Sequence, residues 1–262
     1  MDSTCHNELK LPKKPTLSPT KLTTFLACPT MYYWTYMDDR GRWYARSKSY
    51  YSFGTSLHSV LQRFHDKGDT GVETVESAVA ALEESWIQAG YANQDDMNQA
   101  LGEGKAIIEK YVDDFARKPV TAETVFIEKQ FRMDMGEFDL IGRLDRVDEH
   151  ADGTIEVIDY KSGRGGVTEE DVAQDTAMGC YQLLLRNRFP GQRVIATIIA
   201  LRTGEQASSG FDDSEARKFH DDVRLLGEHI VRYEFEGHVP TKKPLCEGCD
   251  FLPLCQKAPG YG

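Results

Sequence analysis

The sequence predicts an α/β sandwich, a mixed central sheet flanked by helices, with a helical N-terminal region. Three observations lead there. Apolar residues recur at helical spacing through much of the first 117 residues. Runs rich in β-branched residues mark strands at 123–135, 141–150, 155–161 and 194–202. The order of elements, helices then β-β-β-α-β then a helix, fits a sheet covered by helices rather than separate all-α and all-β units.

The elements follow in chain order. A polar, proline-bearing leader runs to about Lys14, and a serine-initiated helix is expected from Ser18 to Tyr36. A second helix, Phe53 to Lys67, places Leu57, Val60, Leu61 and Phe64 on one apolar side. From Thr74 to Arg117 few glycines and periodic Val, Ala, Leu and Ile predict a long helical covering. Glu123 to Met135 is the first core strand, with Glu128 expected as an exposed strand glutamate. IGRLDRVDEH then alternates apolar and polar residues, ADGT supplies a turn, and IEVIDYK returns, which is a β-hairpin. A helix around Tyr181, a strand from Val194 to Arg202 and a hydrophilic helix from Asp213 to Phe235 complete the set. The boundaries expected are a flexible leader at 1–14 and one domain at 15–262. Within it lie a helical region to about 120, the core at about 121–205, and a C-terminal helix with a cysteine segment at about 206–262.

The hairpin gathers chemistry near one end. Asp159 and Lys161 are two residues apart on a strand, so their side chains leave one face while Tyr160 points to the other. With Asp145 they offer hard oxygen ligands suited to Mg²⁺ or Mn²⁺ beside a cation, a set fit for phosphodiester hydrolysis. Taken alone, such a triplet also fits an ordinary charged hairpin. Taken alone, His58 also fits a partly buried structural histidine.

Of six cysteines, Cys246, Cys249 and Cys255 form a C-x2-C-x5-C run. In a chain with no charged-then-apolar leader, this spacing suits a metal or cluster site better than a disulfide framework. Three thiolates lack a fourth, and Cys28 is the best candidate to supply it. Cys5 falls in the leader, and Cys180, in an apolar helical stretch, is expected to behave as a small hydrophobe.

GRLDRVD followed by VIDYKSG resembles the nuclease core of the PD-(D/E)xK superfamily, in particular its RecB-like branch, and FGTSLHSVLQRF is similar to that branch's GxxxH helix. The resemblance implies a restriction-endonuclease-like core in which His58, Asp145 and Asp159 hold the metal, the Tyr160 carbonyl is a further ligand, and Lys161 positions the nucleophile. One cysteine ahead of the core and three behind it resemble the iron-sulfur nucleases of this branch, the AddB nuclease domain and the CRISPR-associated exonucleases. By that resemblance Cys28, Cys246, Cys249 and Cys255 hold a [4Fe-4S] cluster that staples the ends together. A structural Zn²⁺ in the same thiolates is the alternative. One position departs from the pattern: the branch usually carries Gln four residues ahead of a Tyr, and here Ala177 precedes Tyr181. Gln174 lies seven residues before Tyr181, about two turns, on the same face of the expected helix, but it is not taken to replace the missing glutamine. Tyr181 is then either a site-orienting residue or core packing.

A net charge of −11 argues against a protein coated for tight DNA binding. Arg40, Arg42, Arg46 and Lys48, interleaved with Trp43, Tyr44, Tyr50 and Tyr51, suit a single strand whose bases stack while cations follow the backbone. They equally suit a charged surface loop. No apolar run approaches about eighteen residues, so no membrane association is expected, and a cytoplasmic location is. The function implied is a metal-dependent DNA exonuclease acting on single strands or DNA ends, in repair, recombination or CRISPR-type processing. A helicase or a CRISPR adaptation protein is the partner implied. The alternative is a non-hydrolytic iron-sulfur DNA-binding subunit.

Overall fold

In the computed structural model, which describes residues 14–66, 68–118 and 121–262, six strands make one mixed sheet among the described residues. The leader to residue 13, with Cys5, lies outside the described residues. In chain order the elements are β1 (Thr16–Leu17), α1 (Pro19–Ala27), α2 (Pro29–Tyr36), α3 (Ser49–His65), α4 (Val75–Ser85), α5 (Gln94–Arg117), β2 (Ala122–Asp134), β3 (Asp139–His150), β4 (Ile155–Lys161), α6 (Glu169–Gln174), α7 (Thr176–Arg188), β5 (Val194–Ala200), β6 (Glu205–Ser209), α8 (Asp213–Arg232) and α9 (Leu252–Cys255). The expected hairpin is present as β3 and β4. Strand β3 pairs antiparallel with β2 and β4, β4 parallel with β5, and β5 antiparallel with β6.

Several boundaries differ from the expectation, each for a local reason. The single helix 18–36 is two, because a residue before proline is driven out of the helical region; Cys28 is extended at φ −163° and ψ 112°, and Pro29 opens α2. The long covering splits into α4 and α5, each begun by its own side-chain cap, Thr74 and Asn93. The helix before Tyr181 breaks at Asp175, whose carboxylate takes the Ala177 and Met178 N–H groups and starts α7 afresh. The helix expected at 53–67 starts earlier, at Ser49, and ends by His65; Lys67 lies outside the described residues. Strand β6 was not expected: EQASS has no β-branched or aromatic residue, and it forms by pairing with the edge of β5.

Side-chain alternation along β4 divides the core. Ile155 and Val157 pack in one layer with Leu22 and Phe25 of α1, Leu184 of α7 and Ile230 of α8. Ile158 and Tyr160 face the other way into Leu57, Val60 and Leu61 of α3, Leu82 of α4 and Ile108 of α5. Within that second layer lies a buried polar cluster. Arg146 forks onto Asp148 at 2.9 and 2.5 Å, and its remaining nitrogen meets His65 Nε2 at 3.0 Å and the Tyr111 and Tyr160 hydroxyls at 3.2 Å each. Arginine only donates, so His65 Nε2 accepts and is unprotonated. Burial, with the Arg146 charge adding to it, pulls His65 from its ordinary 6.5 down to about 2.

That shift carries a sign. Between about 2 and 6.5 the imidazole takes a proton only when the chain unfolds, so its contribution to stability is present above 6.5 and is lost as pH falls. The expected slope is about 1.4 kcal/mol per pH unit below 6.5. Urea unfolding at pH 7 and pH 5 should show that the His65→Gln protein loses less stability on acidification than the parent; equal losses would refute it. No described helix is long and apolar enough to cross a membrane.

Candidate metal and nucleic-acid site

The site forms where two strands part. The β3–β4 ladder ends at the Arg146–Ile158 pair, whereas β4 continues beside β5 through Lys161. One step past the last pair, the Tyr160 N–H donates to Asp145 Oδ2 at 3.0 Å in place of a backbone carbonyl. The peptide of Tyr160 therefore faces the fork while its ring is held in the buried cluster on the far face.

Helix α3 closes the fork. Its apolar side buries Phe53, Leu57, Val60 and Leu61, and His58 projects toward the strands. The imidazole donates through Nε2 to the Tyr160 carbonyl at 2.9 Å and places Nδ1 3.3 Å from Asp145 Oδ2. Burial pulls its pKa down, but the hydrogen bond and charge of Asp145, joined by Asp159 and that carbonyl, outweigh burial and raise it to about 8. Because His58 and the Tyr160 carbonyl satisfy each other, both can face an ion only if the ring turns.

Asp159 is buried, and Lys161 Nζ lies 2.8 Å from its Oδ2. The angle is poor, however, and Oδ2 is an enclosed oxygen without a well-formed hydrogen bond. Burial pushes the Asp159 carboxyl above its ordinary range; Lys161 opposes this, and the like charge of Asp145 adds to it. Burial lowers Lys161, but Asp159, with help from Asp175 and Asp145, more than reverses that and keeps the ammonium charged.

Two further residues join the site. Glu128, expected to be exposed, is only 14% exposed, and a ligand oxygen of its carboxylate lies within 4.8 Å of those of His58 and Asp145. Its φ is 48°, a left-handed conformation rare for a side-chain-bearing residue in a strand. The pairs Ile127–Arg146 and Lys129–Leu144 bracket it, so Glu128 sits across from Asp145. Counting outward from the Gly136 turn would have found that register. Asp175, the cap of α7, holds Oδ2 3.9 Å from Lys161 Nζ. Gln174 is not in α7; it ends α6, and its amide bonds Glu170 at 2.8 Å, so it does not replace the missing glutamine. Tyr181 lies against β3: a Cβ on Gly142 would stand 2.9 Å from its ring, so the glycine permits this approach. Burial and then the charges of Asp159 and Asp145 raise its phenol, which places the ring beside the carboxylates as well as in the core.

The four cysteines of the expected cluster share one locality. Cys28 caps α2 and accepts the Met31 N–H at 3.4 Å, and Cys246 accepts the Lys243 N–H at 3.4 Å. Burial raises the Cys249 thiol, the Phe251 N–H opposes this, and the charges of Cys246 and Cys28 add to the rise. Burial, followed by Cys249, Cys28 and Cys246, lifts Cys255 to about 11. The Trp34 indole leans toward the Cys255 sulfur without completing a hydrogen bond. With Thr30 Oγ1 one turn away, it is an enclosed polar atom lacking a partner among the described residues. The same locality joins distant segments: Lys243 Nζ donates to the Ala27 carbonyl at 2.8 Å, and Asp250 accepts from Arg46 N at 3.1 Å and Lys48 Nζ at 2.7 Å. Cys180 is buried apart from them, its thiol pushed up to about 12 by burial. In the basic loop, Asp38 engages Arg40 at 2.6 Å, while Trp43, Tyr50 and Tyr51 are 78%, 61% and 67% exposed.

The profile of the PD-(D/E)XK nuclease superfamily matches residues 16–256. Among solved structures, one named "Putative exonuclease" from Eubacterium rectale aligns with a TM-score of 0.53 at 14% identity, covering 98% of this chain and 93% of that one. SSO0001 aligns at 13% identity over 94% of this chain and 87% of its own, with a TM-score of 0.38. No curated protein gives a significant match to the sequence.

Proposed function

Because the chain belongs to the PD-(D/E)XK nuclease superfamily, we propose that it is a Mg²⁺- or Mn²⁺-dependent DNA exonuclease of the RecB-like iron-sulfur kind, acting on single strands and strand ends. The observation that carries this reading is the fork, where His58, Asp145 and Glu128 converge beside the Asp159–Lys161 pair. The fit to a divalent cation rests on the donor set, hard carboxylate oxygens with one imidazole, and on the enclosed Asp159 Oδ2 that lacks a well-formed hydrogen bond. When bound, such an ion polarises a phosphoryl oxygen and acidifies water.

The chain's own residues divide the remaining work. Asp145 and Asp159 supply charge, and His58 supplies a neutral nitrogen once its proton is displaced, which ties ion affinity to pH. Tyr160 fixes Asp145 through its N–H. Lys161, held charged by Asp159 and Asp175, is placed to orient the attacking water and to offset charge developing on the phosphate. Tyr181 packs as the wall behind the carboxylates. Glu128 completes the donor set at the cost of a strained backbone. Glu128→Gly removes the carboxylate and relieves the left-handed conformation, so Mn²⁺ affinity should fall about tenfold or more with no loss of thermal stability. Calorimetric titration with Mn²⁺ checks this, and unchanged affinity would remove Glu128 from the site.

Cys28, Cys246, Cys249 and Cys255 are assigned to a [4Fe-4S] cluster with a structural role, and Zn²⁺ is the competing occupant. Support comes from the charges of Cys28 and Cys246 acting on Cys249 and Cys255, from the N–H groups directed at Cys28 and Cys246, and from the enclosed Trp34 indole beside Cys255, a donor that an additional sulfide acceptor would satisfy. Iron and sulfide analysis of anaerobically purified protein decides between them. The acidic chain suits weak, salt-sensitive DNA binding, and a helicase or CRISPR adaptation partner would supply sustained engagement.

Incubating the anaerobic protein with 5′- and 3′-end-labelled single- and double-stranded DNA, with Mg²⁺ or Mn²⁺, tests the whole reading. Metal-dependent shortening of single strands from an end is expected. A folded protein that binds DNA and cleaves none under either metal would instead be a binding subunit, the reading favoured by Ala177 in place of glutamine.

A further inference from the structure

Beyond Lys161 the chain leaves β4 and runs through Ser162, Gly163 and Arg164 along the side of an open cleft of about 580 Å³. The opposite wall is the first turns of α3, with Tyr50 and Phe53, and the segment after α4, with Tyr91. The cleft lies next to the fork along the chain: α3, whose first turns line it, also carries His58, and Ser162 directly follows Lys161. A Cβ on Gly54 would stand 3.0 Å from Ser162 Oγ, which shows how closely α3 meets the strand end.

Three aromatic rings, Tyr50, Phe53 and Tyr91, line it, and Trp86 packs against two of them. Trp86 stacks on Tyr91 with centroids 6.1 Å apart, Phe53 meets Trp86 edge-on at 5.8 Å, and the Arg202 guanidinium lies 4.5 Å from the Phe53 ring centre. Tyr50, 61% exposed, stands at the rim. Tyr91 Oη is enclosed and has no hydrogen-bond partner among the described residues. Charge in the cleft is nearly balanced. Arg202 is committed to Glu103 at 2.7 Å and to the Ser162 carbonyl at 2.9 Å; Arg164 and Asp96 also line the cleft, and the Arg164 charge acts on Glu103 as well. A duplex or a long phosphate track needs a row of cations. One unpaired nucleotide needs π-faces, a few polar groups and a single cation, and these are what the cleft contains.

We propose that this cleft binds an unpaired nucleotide of the DNA strand adjacent to the scissile phosphate, with its base against the Tyr50 and Tyr91 side and its phosphate toward Arg164. This rests on the nuclease reading of the fork and adds a reason for preferring single strands: a paired base cannot enter.

The test uses the full chain and two variants, Tyr50→Ala, which removes an exposed ring, and Ala92→Trp, which fills the cleft from an exposed lining position. Two probes separate the cleft from the fork. Quenching of an oligodeoxynucleotide ended in 2-aminopurine, measured without metal, reports base stacking. Hydrolysis of bis(p-nitrophenyl) phosphate with Mn²⁺, a diester too short to extend along the cleft, reports the fork. Expected are quenching by the parent, its loss in both variants, and a KM for single-stranded DNA raised about tenfold, the scale of one lost stacking contact. The ratio of DNA to small-ester cleavage should fall by the same factor. Parental quenching and KM in both variants would overturn the cleft assignment. Absent cleavage of both substrates by the parent would overturn the nuclease reading, while the metal-free quenching would still decide the cleft.

Discussion

Asp145→Asn and Lys161→Ala proteins are expected to fold and to bind DNA as the parent does, while metal-dependent cleavage should fall by about 10² to 10⁴ in each. The two substitutions fail for different reasons, and the difference can be measured. Asparagine at 145 still accepts the Tyr160 N–H, so the fork keeps its shape; what disappears is the negative charge that faces His58 and an incoming ion. Mn²⁺ affinity should therefore fall with activity, and the His58 pKa should move down from about 8, visible in the imidazole NMR titration of the metal-free protein. Lysine 161 is 44% exposed, and its loss leaves no cavity. It does strand the buried Asp159 carboxylate without its cation, which raises that group's tendency to keep a proton. Mn²⁺ binding to Lys161→Ala should accordingly persist at alkaline pH while cleavage does not recover. Full activity in either protein would show that the fork is not the reaction centre.

A Cys249→Ala protein, by contrast, should lose more than activity. Ligation of a structural metal by thiolates is commonly worth about 10 to 16 kcal/mol, as much as the whole stability of an ordinary fold, about 5 to 15 kcal/mol. Few other contacts secure this end of the chain: α9 has four residues, and the segment before it is a short turn at Pro244–Gly248. Loss of the thiolate set should release the Lys243–Ala27 and Asp250–Lys48 contacts, expose the apolar sides of α1 and α2, and lead to aggregation. The readouts are loss of brown colour and iron, tryptic cleavage near 243–262, and a collapse of the melting transition. A colourless Cys249→Ala protein that stayed monomeric and fully active would disprove the structural assignment.

The hairpin was legible because IGRLDRVDEH alternates, IEVIDYK is rich in β-branched residues and a turn sequence lies between them, and α3 because four apolar residues define its side. Cys246, Cys249 and Cys255 are near one another in the sequence, whereas their closeness to Cys28 depends on a chain reversal that no local pattern encodes. Glu128 was not legible. Its place depends on a register counted across the Gly136 turn, where a one-residue slip moves every side chain to the opposite face, and on a left-handed backbone that no propensity would assign to glutamate. Asp175 was hidden for a related reason: read within a continuous helix it has no special direction, whereas as a cap it is turned toward Lys161. The Cys28–Pro29 break was visible in principle, since the proline marks it, but the aromatic and apolar residues on both sides suggested continuity. Strand β6 owes its form to its neighbour rather than to its own composition.

Tyr160 contributes its peptide to the fork and its ring to the Arg146, Tyr111 and His65 cluster on the opposite face of the sheet. If the fork is the reaction centre, residues on the opposite face of the sheet thereby bear on cleavage. Drift at Tyr111 or His65 shifts the ring, and the peptide follows it, so compensating changes should arise among those buried partners rather than at the surface. A suppressor screen starting from an impaired Tyr111 variant would be expected to return substitutions in α3 and β3 on the face that holds the Arg146 cluster.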